Sequence, residues 1–263
     1  MRKLRIGALI SGGGSNLQAV IDACEAGRIN GEVVFVGSDN PKAFGLERAK
    51  KHKIDTFTVD YASIIRSYRQ DPERAFVPDD FSLAAIAARQ TIVPAGRDAA
   101  KLKAFLITRA IAEAELLKKM KPYPFDLLIL AGFMRNLTPY FIDRVNTVPD
   151  EIRIMNIHPA LLPAFPGVDG YGDTFRYGSK VGGCTVHFID YGEDSGPIIG
   201  QRAFRIDEND TLESIKAKGL ELEWELYPEC IQLFAEGRLK TEKMKYKMKG
   251  GTFQRTVVKI SGK

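Results

Sequence analysis

The sequence predicts an α/β fold: a mostly parallel, twisted sheet of about seven strands with helices on both faces and one helical insertion. Three observations carry this. Short apolar runs fit for buried strands alternate with stretches of helical periodicity, and that alternation implies parallel strands joined by right-handed crossovers. The first apolar run, Leu4–Ile10, ends in Gly12-Gly13-Gly14, which leads straight into a helical pattern. At 263 residues, with 44% hydrophobic and 27% charged residues, the chain is long enough to bury a large core.

Each element follows in order. After the first strand comes an amphipathic helix over 17–24, closed by Gly27. Residues 32–37 form a second strand, 43–53 a helix and 56–59 a third strand. A helical stretch over 105–120 precedes a fourth strand at 125–131. The fifth starts at 151–155 and runs into Asn156-Ile157-His158, where Pro159 stops it. Strands at 186–189 and 198–204 complete the sheet. A long helix over 211–236 follows, with Asp210 as its cap, Glu213 as the capping-box partner and Gly237 as its end.

Two segments stand outside this pattern. Residues from about 62 to 105 contain a helical patch at 81–88 and read as an inserted helical excursion, because so long a structureless loop is unusual in a compact domain. Residues 240–263 read as a basic tail ending in a short strand at 256–260, so that the main domain spans 1–239.

Composition narrows the function classes. The net charge of +5 owes much to Lys240, Lys243, Lys245, Lys247 and Lys249, but too few aromatics accompany them for a base-stacking platform. A solvated, anion-tolerant tail is expected rather than a nucleic-acid partner. No apolar run approaches the roughly 18 residues of a membrane span, and the N-terminus breaks too soon for a signal peptide. Cys24, Cys184 and Cys230 are odd in number and widely spaced, which argues against disulfides or a zinc site and suits a reducing cytoplasm.

Two patterns carry chemistry. Asn156 and His158 lie at i and i+2 on a strand and therefore project to the same face. An amide donor beside an imidazole suits acyl transfer, one holding an oxyanion and the other managing a proton. The pattern also fits a core histidine satisfied by a backbone carbonyl. The second pattern is the run Gly12, Gly13, Gly14, Ser15 and Asn16 between strand and helix. Its backbone N–H groups and the helix N-terminus suit a single phosphate. It lacks the Gly-Lys-Ser/Thr ending of a Walker loop, and Leu17 stands where a dinucleotide fingerprint has its third glycine. A tight turn serving only packing is the alternative.

Taken together, the segments resemble the folate-dependent glycinamide ribonucleotide transformylase family. The matching runs are 10–17, 40–49, 130–135, 156–167 and 185–188, closing with Asp194-Ser195-Gly196-Pro197-Ile198-Ile199. The resemblance implies a Rossmann-like formyltransferase fold and transfer of a formyl group from 10-formyltetrahydrofolate to the amine of glycinamide ribonucleotide in purine biosynthesis. It assigns catalysis to Asn156, His158 and Asp194. The glycine-rich loop would hold the 5′-phosphate, and Glu223 the ribose hydroxyls. Phe133, Met134, Arg135, Asn136 and Leu137 would line the pterin cleft, Arg109 would lie near the folate tail, and Asp190 would line the folate loop.

The chain also departs from the family. Leu220 stands where relatives offer the nucleotide phosphate a polar or basic side chain, so Lys216 or Lys218 is expected to substitute. His187 and Thr185 either approach the reacting centre or pack as ordinary strand residues. No metal is expected, because the three histidines are far apart in sequence. A monomer or homodimer acting on the two small molecules is the expected form. Rival readings keep the site but change the acceptor to an amino-sugar nucleotide or to water. Another rival makes the first turn a dinucleotide site with Asp39 on a ribose, and a last one is a non-catalytic phosphate-sensing or RNA-binding module.

Overall fold

A computed structural model describes residues 2–94, 96, 98–148 and 151–262. The chain opens with β1 (Leu4–Ile10), α1 (Ser15–Glu25), β2 (Gly31–Ser38), α2 (Phe44–Lys51) and β3 (Thr56–Thr58). Three helices follow without a strand between them: α3 (Tyr61–Gln70), α4 (Leu83–Arg89) and α5 (Ala99–Met120). Then come β4 (Leu127–Leu130), α6 (Pro139–Val145), β5 (Ile154–His158), α7 (Gly170–Arg176), β6 (Val181–Phe188) and β7 (Ile198–Arg205). Helix α8 (Leu212–Ala235) leads to β8 (Leu239–Met248) and β9 (Gly251–Ile260).

The main sheet has seven strands in the order β3-β2-β1-β4-β5-β6-β7. Strands β1 to β5 pair in parallel, whereas β6 and β7 join antiparallel. The strand order reverses between β1 and β4, and in open α/β sheets such a switch point opens a crevice at the carboxyl ends of the strands. Residues 11–16 leave β1 at that edge, 131–137 leave β4, and Pro159 follows β5.

Alternation along β1 divides the core. Ile6, Ala8 and Ile10 pack with α1 and α8, while Leu9 packs with Phe35 and with Leu116 and Phe141 of α5 and α6. Tyr227 of α8 is fully buried, and its single hydroxyl proton is shared between the carbonyls of Leu130 and Met155 at 3.1 and 2.9 Å. One side chain thereby ties α8 to the ends of β4 and β5.

Several sequence expectations need correction. Helix α8 is capped by Thr211, not Asp210, and Ser214 rather than Glu213 completes the capping box. The reason is geometric: Asp210 instead accepts from the Ser214 hydroxyl and from Lys218. The tail is solvated as expected, its five lysines all exposed, but it holds more than one short strand. It is a two-stranded antiparallel hairpin, β8 paired with β9, whose Leu239 and Val258 pack on the core. Strand β6 begins at Val181, five residues before the expected start at Val186, because β7 pairs with its early half. The stretch 62–105 carries most of α3, all of α4 and the start of α5, and it is anchored: Ile86 of α4 packs on Leu106 of α5 and Tyr140 of α6.

Candidate active site

At the switch point lies a cavity of about 450 Å³, lined from β4, β5, α7, α8 and the loop after β6. Asn156 and His158 enter it from the end of β5, as the i, i+2 spacing predicts. His158 is buried, with its two ring nitrogens facing oxygen acceptors. Nε2 donates to the Phe165 carbonyl at 2.8 Å, and Nδ1 lies 3.2 Å from Asp194 Oδ2. The backbone-carbonyl partner that a plain core histidine needs is therefore present, together with a carboxylate that such a histidine does not need.

Asp194 comes from the loop between β6 and β7, and its backbone sits at φ 49°. That left-handed conformation is uncommon for a residue with a side chain, though Asp tolerates it better than most. The same Oδ2 accepts from the Gly167 N–H at 2.8 Å, so the carboxylate also fixes the 165–167 turn.

His187 stands opposite Asn156 in the β5–β6 register. Its Nδ1 donates to the Phe188 carbonyl at 2.9 Å, leaving Nε2 to accept from Asn156 Nδ2 at 3.2 Å. Burial pushes the His187 pKa down despite the attraction of Asp194, which keeps the ring neutral and Nε2 an acceptor. Thr185 turns away from the cavity and braces the 160–162 turn: its hydroxyl donates to Ala160 and accepts from the Leu162 N–H.

A second cluster involves α8. Glu223 is buried and accepts from Asn16 Nδ2 and from the Tyr171 hydroxyl, both at 2.6 Å. Burial raises its pKa against the pull of these two hydrogen bonds. It is not the solvated helix residue that the sequence allowed. Lys216 and Leu220 line the same wall, whereas Lys218 is turned to Asp210 at 2.6 Å. Of the two candidate lysines, only Lys216 borders the cavity.

The glycine-rich loop flanks this region. Asn16 lines the cavity; Gly12, Gly13, Gly14 and Ser15 do not. Gly12 and Gly13 give their carbonyls to the Gly45 N–H and to Arg48 Nε, which ties the loop to α2. Gly14 sits at φ 71°, and a Cβ there would meet the Gly45 Cα at 2.7 Å, so only glycine fits. No side chain caps α1 and no acidic residue stands in its first turn. Its N-terminal N–H groups are thus left to a ligand or to water.

Phe133, Met134, Arg135, Asn136 and Leu137 all line the far side of the cavity, and Arg109 joins them from α5. Arg109 is buried over the rings of Tyr61 and Phe105, with Nε lacking a hydrogen-bond partner. Burial lowers its pKa, though a guanidinium stays charged. A buried cation with a free donor at a cavity wall suits an anionic group on a ligand. Asp190 is the exception among the expected residues. It does not line the cavity; its Oδ1 accepts from the Gly192 N–H and the Ser195 hydroxyl and so folds its own loop.

Sequence reasoning missed three supports. Tyr171 holds Glu223, and Ser11 Oγ accepts from the Met134 N–H at 2.8 Å. Asp39, expected on a ribose in the dinucleotide rival, is buried and bonded through Oδ2 to Arg135 Nε at 2.5 Å. Asp39 does not line the cavity. None of the three has a local signal, because each partner lies far away in sequence.

Comparison with known proteins agrees with this geometry. Residues 4–231 match the family model described as formyl transferase. The chain is 33% identical over 237 residues to the phosphoribosylglycinamide formyltransferase of Escherichia coli K12, covering 90% of each chain. It is 32% identical to the Bacillus subtilis 168 protein of the same name, covering 88% of this chain and 94% of that one. Among solved structures, glycinamide ribonucleotide transformylase 1 from Symbiobacterium toebii superposes with a TM-score of 0.70 at 36% identity, over 98% of this chain and 94% of that one. With its seven-stranded sheet, its cavity at the strand-order switch and a match over most of its length, this chain belongs to the formyl transferase family.

Proposed function

We propose that this chain transfers a formyl group from 10-formyltetrahydrofolate to the amine of glycinamide ribonucleotide, a step of purine biosynthesis, with residues 1–239 as the catalytic domain. The observation that carries the reading is the His158–Asp194 pair beside Asn156, all three on one cavity wall. Relatives that align over nine-tenths of the chain bear the name of this activity.

The residues fit both substrates. The uncapped start of α1, with Gly12 to Asn16 around it and Lys216 across the cavity wall, suits a 5′-phosphate. The buried Glu223 carboxylate suits paired ribose hydroxyls. Arg109 suits a carboxylate of the folate tail, and residues 133–137 suit the pterin ring. The three unpaired cysteines fit a cytoplasmic setting.

In this reading the substrate amine adds to the formyl carbon and places negative charge on the formyl oxygen. Asn156 donates to that oxygen, a donor worth about 3 kcal/mol in sites of this kind, while His158 stands beside it with its ring nitrogens on the Phe165 carbonyl and Asp194. Asp194 pairs with His158 and helps carry the proton from the amine to the departing folate nitrogen. The test is formyl transfer from 10-formyltetrahydrofolate to glycinamide ribonucleotide, followed by folate absorbance, with His158→Ala alongside. Turnover that collapses in the variant supports the reading. Retained folate binding with no turnover on this acceptor sinks it.

A further inference from the structure

The inserted segment has no part in the function just described, yet it touches the loop that carries Asp194. That loop runs from the end of β6 to Pro197, and Asp194 within it holds a left-handed backbone. Such a conformation persists only where its surroundings enforce it. Within the loop, Asp190 closes a turn with the Gly192 N–H and the Ser195 hydroxyl at 3.1 and 2.6 Å.

Besides the contacts of Asp194 with His158 and the Gly167 N–H, and of Glu193 with Asn136 Nδ2 at 3.0 Å, the loop is attached to the body of the protein through Tyr191. Its hydroxyl donates to Asp143 Oδ1 of α6 at 2.6 Å. Arg89, the last residue of α4, forks onto both oxygens of that Asp143 at 2.7 and 3.1 Å. The same guanidinium lies 4.8 Å from the centre of the Tyr191 ring. Two residues on, the Thr91 N–H donates to the Tyr191 carbonyl at 2.8 Å. Thr91 also crowds Gly192, where a Cβ would lie 2.8 Å from its Oγ1.

Arg89 and Asp143 are each more than a third exposed, so a lone pair there would contribute little. A forked guanidinium that also covers an aromatic ring is a more rigid device. The C-terminal hairpin reaches the loop as well: Arg255 of β9 donates to the Ser195 carbonyl at 3.4 Å.

We propose that Arg89 and Thr91 of the inserted segment are positioning residues: they brace Tyr191 and thereby hold Asp194 against His158. The proposal rests on Asp194 acting in formyl transfer as read above. The insertion then serves the reaction without touching either substrate, and its removal loosens the carboxylate rather than a binding surface for the nucleotide.

The experiment uses the full chain with Arg89→Ala, Arg89→Lys and Tyr191→Phe. Amide hydrogen exchange over residues 190–196 is measured beside kcat and both KM values. Arg89→Ala is expected to speed exchange in that loop and to lower kcat by between about tenfold and about a hundredfold. KM for glycinamide ribonucleotide should not change, and Arg89→Lys should recover only part of the loss. Tyr191→Phe removes a single hydroxyl, so it reports on the brace even if Arg89→Ala folds poorly. Unchanged exchange over 190–196 in Arg89→Ala and Tyr191→Phe, or faster exchange with unchanged kcat, overturns the proposal. Should the wild type transfer no formyl group, the function assigned above fails, while the exchange result still decides whether the brace exists.

Discussion

Asn156 and His187 face each other across β5 and β6, and their 3.2 Å hydrogen bond runs in one direction only. The Phe188 carbonyl takes the proton on Nδ1, so Nε2 of a neutral ring can only accept. The Asn156 amide is thereby oriented with its NH₂ toward His187, and one N–H remains for the cavity. Asn156→Ala should lower kcat by about a hundredfold to a thousandfold, as loss of an oxyanion donor does elsewhere. His187→Ala should cost less, because the amide stays but loses its orientation. Steady-state kinetics on both variants checks the order.

Asp194→Asn isolates the carboxylate. Asn tolerates a left-handed backbone, so the loop should fold, with the melting temperature close to that of the wild type. Formyl transfer should fall by at least about a hundredfold, because the charge partner of His158 is gone. A stable variant with nearly full activity would remove Asp194 from the mechanism.

Lys216 and Lys218 make a matched pair of tests. Lys216 borders the cavity, whereas Lys218 is held by Asp210 and Asp207. Lys216→Ala should raise KM for glycinamide ribonucleotide about tenfold, the equivalent of one charge-assisted hydrogen bond of ~1.4 kcal/mol. Lys218→Ala should leave that KM alone. Equal effects would mean that the phosphate lies elsewhere.

Glu113 should make stability depend on pH. It is fully buried in α5 and accepts from the Thr138 N–H and hydroxyl at 2.7 and 2.6 Å. Burial outweighs these bonds and lifts its pKa from 4.5 to about 8. Between those values the folded chain holds a proton that the unfolded chain has released. Its contribution is therefore fully present below 4.5 and is lost as pH rises towards about 8, at on the order of 1 kcal/mol per pH unit. Glu113→Gln keeps a carbonyl for the Thr138 N–H and abolishes the titration. Melting curves from about pH 5 to about pH 8.5 should show the variant gaining on the wild type as pH rises.

Whatever depends on neighbours along the chain was legible before the fold was known. Strand and helix alternation is set by local apolar periodicity, and it announced the parallel part of the sheet. The i, i+2 spacing placed Asn156 and His158 on one face, and the glycine-rich turn marked the start of α1. The rest was settled by packing, because it depends on contacts between distant segments. Asp194 reaches His158 across 36 positions, and Glu223 meets Asn16 across 207. The cap of α8 passed from Asp210 to Thr211 because Lys218 and the Ser214 hydroxyl engage the aspartate, a competition of side chains that residue propensities do not weigh. The tail became a hairpin because β8 and β9 satisfy each other's backbone and set Leu239 and Val258 on the core. The contact of Arg89 with Tyr191 and Asp143 has no local sign, since it exists only once α4, α6 and the loop after β6 are packed together.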